Sequence, residues 1–145
     1  MKVKIKKISE LAKIPTYGTE FSAGADIYAL LDEAVTIAPN ETVMIKTGLQ
    51  MEIPENYVGL IYPRSGISVK RGLAPANKVG VIDSDYRGEV MVALHNHSTE
   101  NQTVEPFERI AQLVIAPYIQ ASFEEADCLE ESTRGEGGFG STGKK

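Results

Sequence analysis

The chain has 145 residues, 42% of them hydrophobic and 24% charged, with 20 acidic against 15 basic side chains for a formal net charge of −5. That length supports one domain with its own core and is short for two, and no apolar run is long enough to cross a bilayer. The acidic balance disfavours non-specific attraction to a nucleic-acid backbone, so an anionic ligand would have to be held by local arginines or a metal.

The N-terminus, MKVKIKKISE, carries charge with neither an apolar stretch nor a small-residue cleavage site behind it, so no export signal is expected. The single cysteine, Cys128, excludes an intrachain disulfide and agrees with a reducing compartment, which makes a cytoplasmic location the expectation. No histidine or Asn/Asp framework surrounds Cys128 in sequence, so it reads as a small side chain rather than a nucleophile.

Two-residue alternation of apolar and polar side chains predicts strands at KVKIKKI (2–8), TVMIKT (42–47), LQMEI (49–53), VGLIY (58–62), EVMVALH (89–95) and RIAQLVIAPY (109–118). Turn signals separate them at 15–18, Pro39-Asn40, 54–56, Gly80, Gly88 and the polar stretch HSTENQT (97–103). The pattern is that of an all-β barrel or sandwich. One segment, SGISVKRG (65–72), can form a turn or two of helix, and FEEADCLEES (123–132) reads as solvated loop. Composition then turns to glycine. The expected organisation is a β-barrel domain over 1–125 and a flexible, glycine-rich C-terminal arm over 126–145.

Several stretches carry candidate chemistry. SAGADIYA (22–29) sets Asp26 in a small, apolar strand, where its carboxylate requires an arginine, a metal or several backbone donors. In PRSGIS (63–68), an arginine fork, a serine hydroxyl and turn amides suit an anion, although such a turn is ordinarily only a turn. VGVIDSDYRGEV (79–90) places Asp83, Asp85 and Tyr86 between two apolar strands, as in a β-hairpin. A ribbon of that kind can read a nucleobase edge with its backbone, and the plain alternative is an Asp-rich turn capping itself. Arg109 and Gln112 lie within ERIAQLVI (108–115), where Arg109 beside Glu105 and Glu108 reads as a solvated strand end. His95 and His97 share a face if the strand continues, a spacing able to bind a transition metal, yet no third ligand stands nearby and they read as polar strand-end residues.

Five of these stretches stand in a fixed order: SAGADIYA, PRSGIS, GVIDSDYRGEV, RIAQLV and RGEGGFGSTG. Together they resemble the trimeric dUTPases from about Thr16 to the C-terminus. The resemblance implies a jelly-roll-like β-barrel of the β-clip kind, a homotrimer with shared active sites, and Mg²⁺-assisted hydrolysis of dUTP to dUMP and pyrophosphate. Such a reaction limits uracil incorporation into DNA and supplies dUMP for dTMP synthesis. Nucleic acid and membrane are not expected partners.

Carried over to this chain, the resemblance makes Asp83 the general base that activates water for attack on the α-phosphorus; spacing alone does not choose it over Asp85. It sets Tyr86 against the deoxyribose, and Asn77 with the backbone of Gly80, Val81 and Ile82 against uracil. Arg64, Ser65, Gly66 and Gln112 become phosphate contacts, and Asp26 supports the hydration shell of the metal through water. In the arm, Arg134 matches a γ-phosphate clamp, Phe139 a ring stacked on uracil, and Gly140, Ser141 and Thr142 the groups around the terminal phosphates. The arm would then be a lid ordered by nucleotide. Rival readings are a dCTP deaminase, a nucleotide-sensing regulatory module, and a structural β-domain with a linker tail.

Overall fold

The computed structural model describes residues 1–138, so Phe139, Gly140, Ser141 and Thr142 lie outside the described residues. The described residues form twelve strands and one helix: β1 (Lys4–Lys7), β2 (Thr16–Tyr17), β3 (Ala25–Tyr28), β4 (Val35–Ile37), β5 (Thr42–Lys46), β6 (Leu49–Glu52), β7 (Tyr57–Tyr62), α1 (Ser65–Arg71), β8 (Leu73–Pro75), β9 (Gly80–Ile82), β10 (Met91–Asn96), β11 (Gln102–Val104) and β12 (Arg109–Pro117). The largest sheet runs β2-β3-β12-β7-β9, a second runs β5-β10-β8, and β1-β6 and β11-β4 form two ribbons, all paired antiparallel. The all-β expectation holds, and the alternating stretches at 2–8, 42–47, 49–53, 58–62, 89–95 and 109–118 each coincide with a strand to within a few residues.

Alternation decides what each strand buries. In β10, Val92, Leu94 and Asn96 point inward, while Met91, Ala93 and His95 point outward. The inward residues join one core with Ile27, Ile37, Ile45, Leu49, Leu73, Val104 and Ile110, each fully or almost fully buried. Asn96 is the polar member of that face, and its needs are met. Its Nδ2 donates to the carbonyls of Ile37 (2.9 Å) and Glu100 (2.8 Å), and its Oδ1 accepts from Ser98 N (2.9 Å) and Ser98 Oγ (2.7 Å). The middle residue of HNH thus pins the turn that follows β10, as buried polar groups must be paired.

The helix prediction at 65–72 is met by α1. It stops at Gly72, whose φ of 67° is the left-handed conformation that closes helices, and whose N–H bonds back to Ser68 O. A Cβ there would stand 2.9 Å from Ser98 N, so a side chain is excluded twice over. Arg71, at the last turn, reaches Glu108 Oε1 and the carbonyl of Thr103 and tethers the helix to β11 and β12.

One expectation is corrected. The 79–90 stretch is not a paired hairpin: β9 pairs with β7, from Gly59↔Ile82 to Ile61↔Gly80, whereas β10 pairs with β5 and β8. Its arms therefore belong to different sheets. Arg109 is the exposed first residue of β12, the solvated strand end expected, and it also reaches Asp26. Beyond Pro117, residues 118–136 are exposed, apart from any strand or helix, and contain Cys128. The expected boundary near residue 125 falls inside this stretch.

Candidate active site

Two clefts gather nearly all the described candidate residues. The first, about 240 Å³, opens between β9 and β10 and is lined by Asn77, Gly80, Val81, Ile82, Asp83 and Tyr86, together with Met44, Met91 and Glu89. Because the arms of the ribbon go to separate sheets, the space between them is not closed by a ladder. Gly80 sits where Asn77 Nδ2 would be 3.1 Å and Ile61 Cβ 3.2 Å from an added Cβ, so the asparagine amide packs directly on the start of β9.

At the mouth of this cleft the chain turns over 83–86, with Tyr86 N donating to Asp83 O at 3.2 Å. The Asp83 carboxylate is exposed and forms no hydrogen bond within the chain's described residues, which leaves both oxygens open to solvent or ligand. Tyr86 lies back along the turn, its hydroxyl donating to Glu89 O at 3.0 Å. That pose depends on Gly88: a Cβ there would be 2.3 Å from the phenolic oxygen. Arg87, at the tip, satisfies the carbonyls of Ser84 (2.7 Å) and Tyr86 (3.0 Å).

The second cleft, about 410 Å³, is polar and is lined by Gly18, Ser22, Gly24, Asp26, Arg64, Ser65, Gly66, Arg109 and Gln112. Asp26 is its centre: buried on β3, it accepts from Arg64 Nε at 2.6 Å through one oxygen and from Arg109 Nη1 at 3.1 Å through the other. The partner that sequence reasoning required for this carboxylate is thus a pair of arginines. One carboxylate against two guanidinium groups leaves a local net positive charge facing the cleft, in a chain that is acidic as a whole.

A β-bulge explains why Arg109 and Gln112 face the same way. Residues three apart on a regular strand point to opposite faces, but the pairing steps from Arg109↔Tyr28 to Ala111↔Ile27, leaving Ile110 as the extra residue. Ile110 and Ala111 are then both buried, and Gln112, opposite Asp26, returns to the side of Arg109. Gln112 donates from Nε2 to Pro63 O at 2.9 Å, tying β12 to the entry of α1. Gly24 is the space this side chain occupies, since an added Cβ would meet Gln112 Oε1 at 2.5 Å.

The remaining candidates stand apart. Arg134 is exposed, and its Nε donates to Gly137 O at 2.7 Å within a turn of its own segment. His95 and His97 do share a face, with ring centroids 4.3 Å apart, and His95 Nδ1 is 2.8 Å from Thr42 Oγ1. Partial loss of hydration, then Lys78 and His95, pull the His97 imidazole below its ordinary pKa. Among the described residues no group of three or more His, Cys, Asp or Glu side chains could hold a metal, and no helix is long and apolar enough to cross a membrane.

Sequence reasoning missed Glu89, Met44 and Met91 in the first cleft. Glu89 lies just past the motif's aromatic and looks like an ordinary solvated strand-edge carboxylate, while the methionines look like routine outward positions of β5 and β10. It also missed Ser22 and Gly24, whose place in the second cleft follows from the pairing of β3 with β12, which no local pattern announces.

Comparison with known proteins agrees over nearly the whole chain. The dUTPase family model matches residues 10–143. Deoxyuridine 5'-triphosphate nucleotidohydrolase from Acinetobacter baumannii strain AYE is 48% identical over 150 aligned positions that span all of both chains. The Neisseria meningitidis protein of the same name is 48% identical over 144, covering 99% of this chain and 95% of its own. Among solved structures, a mutant dUTPase of Staphylococcus bacteriophage 80alpha with dUpNHpp superposes with a TM-score of 0.86 at 32% identity, covering 98% of each chain. A mutant dUTPase of phage phi11 of S. aureus, described with a structural Mg(II) ion, superposes at 0.80 with 26% identity over 90% of this chain and 100% of its own. With the family model matched over residues 10–143 and full-length relatives 48% identical, the chain belongs to the dUTPase family.

Proposed function

We propose that this chain hydrolyses dUTP to dUMP and pyrophosphate, limiting uracil incorporation into DNA and supplying dUMP for dTMP synthesis. The observation that carries the reading is the division of labour between the clefts. One is an open, partly apolar slot with a free carboxylate at its mouth, and the other is a polar basin with two arginines clamped on a buried aspartate. The first suits a base and sugar, the second a polyphosphate.

In this reading uracil enters between β9 and β10, where the backbone of Gly80, Val81 and Ile82 and the Asn77 amide meet its hydrogen-bonding edge. Cytosine presents a donor where uracil has O4, and thymine adds a methyl to a close wall. Tyr86 packs on the deoxyribose, leaving no room for a 2′-hydroxyl. Asp83, unencumbered by partners among the described residues, holds a water and takes its proton as the water attacks the α-phosphorus in line; pyrophosphate leaves. Asp85 remains the rival carboxylate on the same turn.

Arg64, Ser65, Gly66 and Gln112 receive the phosphates, and Asp26 keeps the guanidinium groups of Arg64 and Arg109 aimed. Each Asp26 oxygen has a lone pair beyond its arginine bond, so Asp26 would support the hydration shell of a Mg²⁺ through water rather than ligate the ion directly. Bound there, Mg²⁺ would offset phosphate charge. Among the described residues none lines both clefts, which supports a homotrimer in which each active site takes its nucleoside half and its phosphate half from different copies. The arm carrying Arg134, Phe139, Gly140, Ser141 and Thr142 closes the site of such an assembly.

Pyrophosphate release from dUTP, UTP, dTTP and dCTP, each with and without Mg²⁺, tests the reading. Turnover of dUTP alone, dependent on Mg²⁺, is expected. Ammonia from dCTP would establish the deaminase instead, and tight dUTP binding without turnover would establish a sensing module.

A further inference from the structure

The wall formed by Tyr86 is held in place by its neighbour. Between β5 and β6 the chain passes Gly48 at φ 70°, where an added Cβ would meet Leu30 Cδ2 at 2.6 Å and Ala12 Cβ at 2.8 Å, so this turn is packed hard against the core. From the turn, Gly48 N donates to Glu89 Oε1 at 2.8 Å. Beside it, Val90 N donates to Leu49 O at 2.8 Å, and the buried Thr47 hydroxyl donates to Val90 O at 2.5 Å. Glu89 is therefore fastened by its side chain to a rigid turn, while its own carbonyl accepts the Tyr86 hydroxyl at 3.0 Å.

We infer that Glu89 is a positioning residue: its carboxylate, acting as an acceptor for Gly48 N–H, fixes the carbonyl that holds the Tyr86 ring and so sets the discrimination between deoxyribose and ribose. This rests on the dUTP-hydrolase reading of the cleft. The physical basis is pre-organisation. A ring free to swing about its side-chain torsions leaves room for a 2′-hydroxyl, whereas a ring pinned at its phenolic end does not. Gly88 provides the clearance for this pose and Glu89 the tether. The acceptor oxygen, not the negative charge, is what the contact requires.

The test compares kcat/KM for dUTP and UTP in wild type, Glu89→Met, Glu89→Gln, Tyr86→Phe and the double variant Glu89→Met with Tyr86→Phe. Glu89→Met keeps the length of the side chain and loses the acceptor. It is expected to lower the dUTP:UTP ratio on the order of 5- to 10-fold, the scale of one lost hydrogen bond. Glu89→Gln, which retains an acceptor oxygen, is expected to stay within about 2-fold of wild type by the same scale. Tyr86→Phe severs the tether from the other end, so the double variant should fall no further than the larger single change. An unchanged ratio in Glu89→Met, a Gln variant as poor as Met, or multiplied effects in the double variant would each overturn the inference. Thermal unfolding measured alongside separates lost stability from lost discrimination. Failure of the wild type on dUTP would defeat the hydrolase reading instead, and NMR contacts between the Tyr86 ring and Gly88 would still decide whether Glu89 holds the ring.

Discussion

Asp83 and Asp26 are both aspartates in signature stretches, and the structure treats them oppositely. Asp26 is buried with both oxygens engaged by arginines, while Asp83 is exposed with neither oxygen engaged by any described residue. A carboxylate that must accept a proton from water needs the second condition, and one that must hold guanidinium groups still needs the first. Asp83→Asn is accordingly expected to retain nucleotide binding and to lose turnover by about 10²-fold or more, the usual worth of a general base. Calorimetric binding of a non-hydrolysable analogue alongside steady-state kinetics checks this, and near-normal turnover would transfer the role to Asp85. The need of Asp26 for a partner was legible in sequence, because a carboxylate amid small apolar residues cannot stand alone. That Arg109 is one of its partners was not: its neighbours Glu105 and Glu108 suggest an ordinary charged strand end, and Glu108 is in fact engaged by Arg71.

Among the elements, β12 does most to build the polar cleft, through its bulge and its two partners β3 and β7. Gly24→Ala tests that construction. An added Cβ 2.5 Å from Gln112 Oε1 must expel the side chain and break its bond to Pro63 O. A loss of roughly 1 kcal/mol in unfolding free energy is expected from one such bond, with a reduction in turnover larger than this stability loss implies, readable by chemical denaturation and kinetics on the same sample. Longer strands were legible because apolar and polar residues alternating over five or six positions match a half-buried strand and no helical face. The two- and three-residue strands β2, β4, β8 and β11 were not, unlike the three-residue β9 within the 79–90 stretch. Such pieces carry no measurable period, β8 ends in Pro75, and β11 begins inside the polar stretch after β10; tertiary pairing alone makes them strands. The 79–90 ribbon misled for a related reason. Two apolar runs around a turn imply a hairpin locally, but the partners of β9 and β10 are set by distant segments.

At the scale of the molecule, a nucleotide spanning both chemistries must touch two clefts that share no lining residue among those described. If different copies supply the halves, two inactive variants can rescue each other. Mixing Asp83→Asn chains with Arg64→Ala chains, then dissociating and reassociating them, is expected to restore dUTP hydrolysis well above either parent, because some mixed sites take both intact halves. Activity that stays at the level of the parents would place the whole site on one chain. The barrel and the order of motifs were legible in sequence; the separation of the clefts was not, since it depends on how four sheets and ribbons fold around one core.

The two arms of the 79–90 ribbon act like the jaws of a caliper mounted on separate plates. The gap between them is set by how those plates stack, and hence by buried aliphatic residues such as Ile45, Leu94, Ile110 and Leu113 far more than by the turn itself. Natural variation in such interior positions, invisible at the surface, would then tune fidelity as well as robustness, and a drifting lineage could trade one against the other without altering any group that meets the ligand.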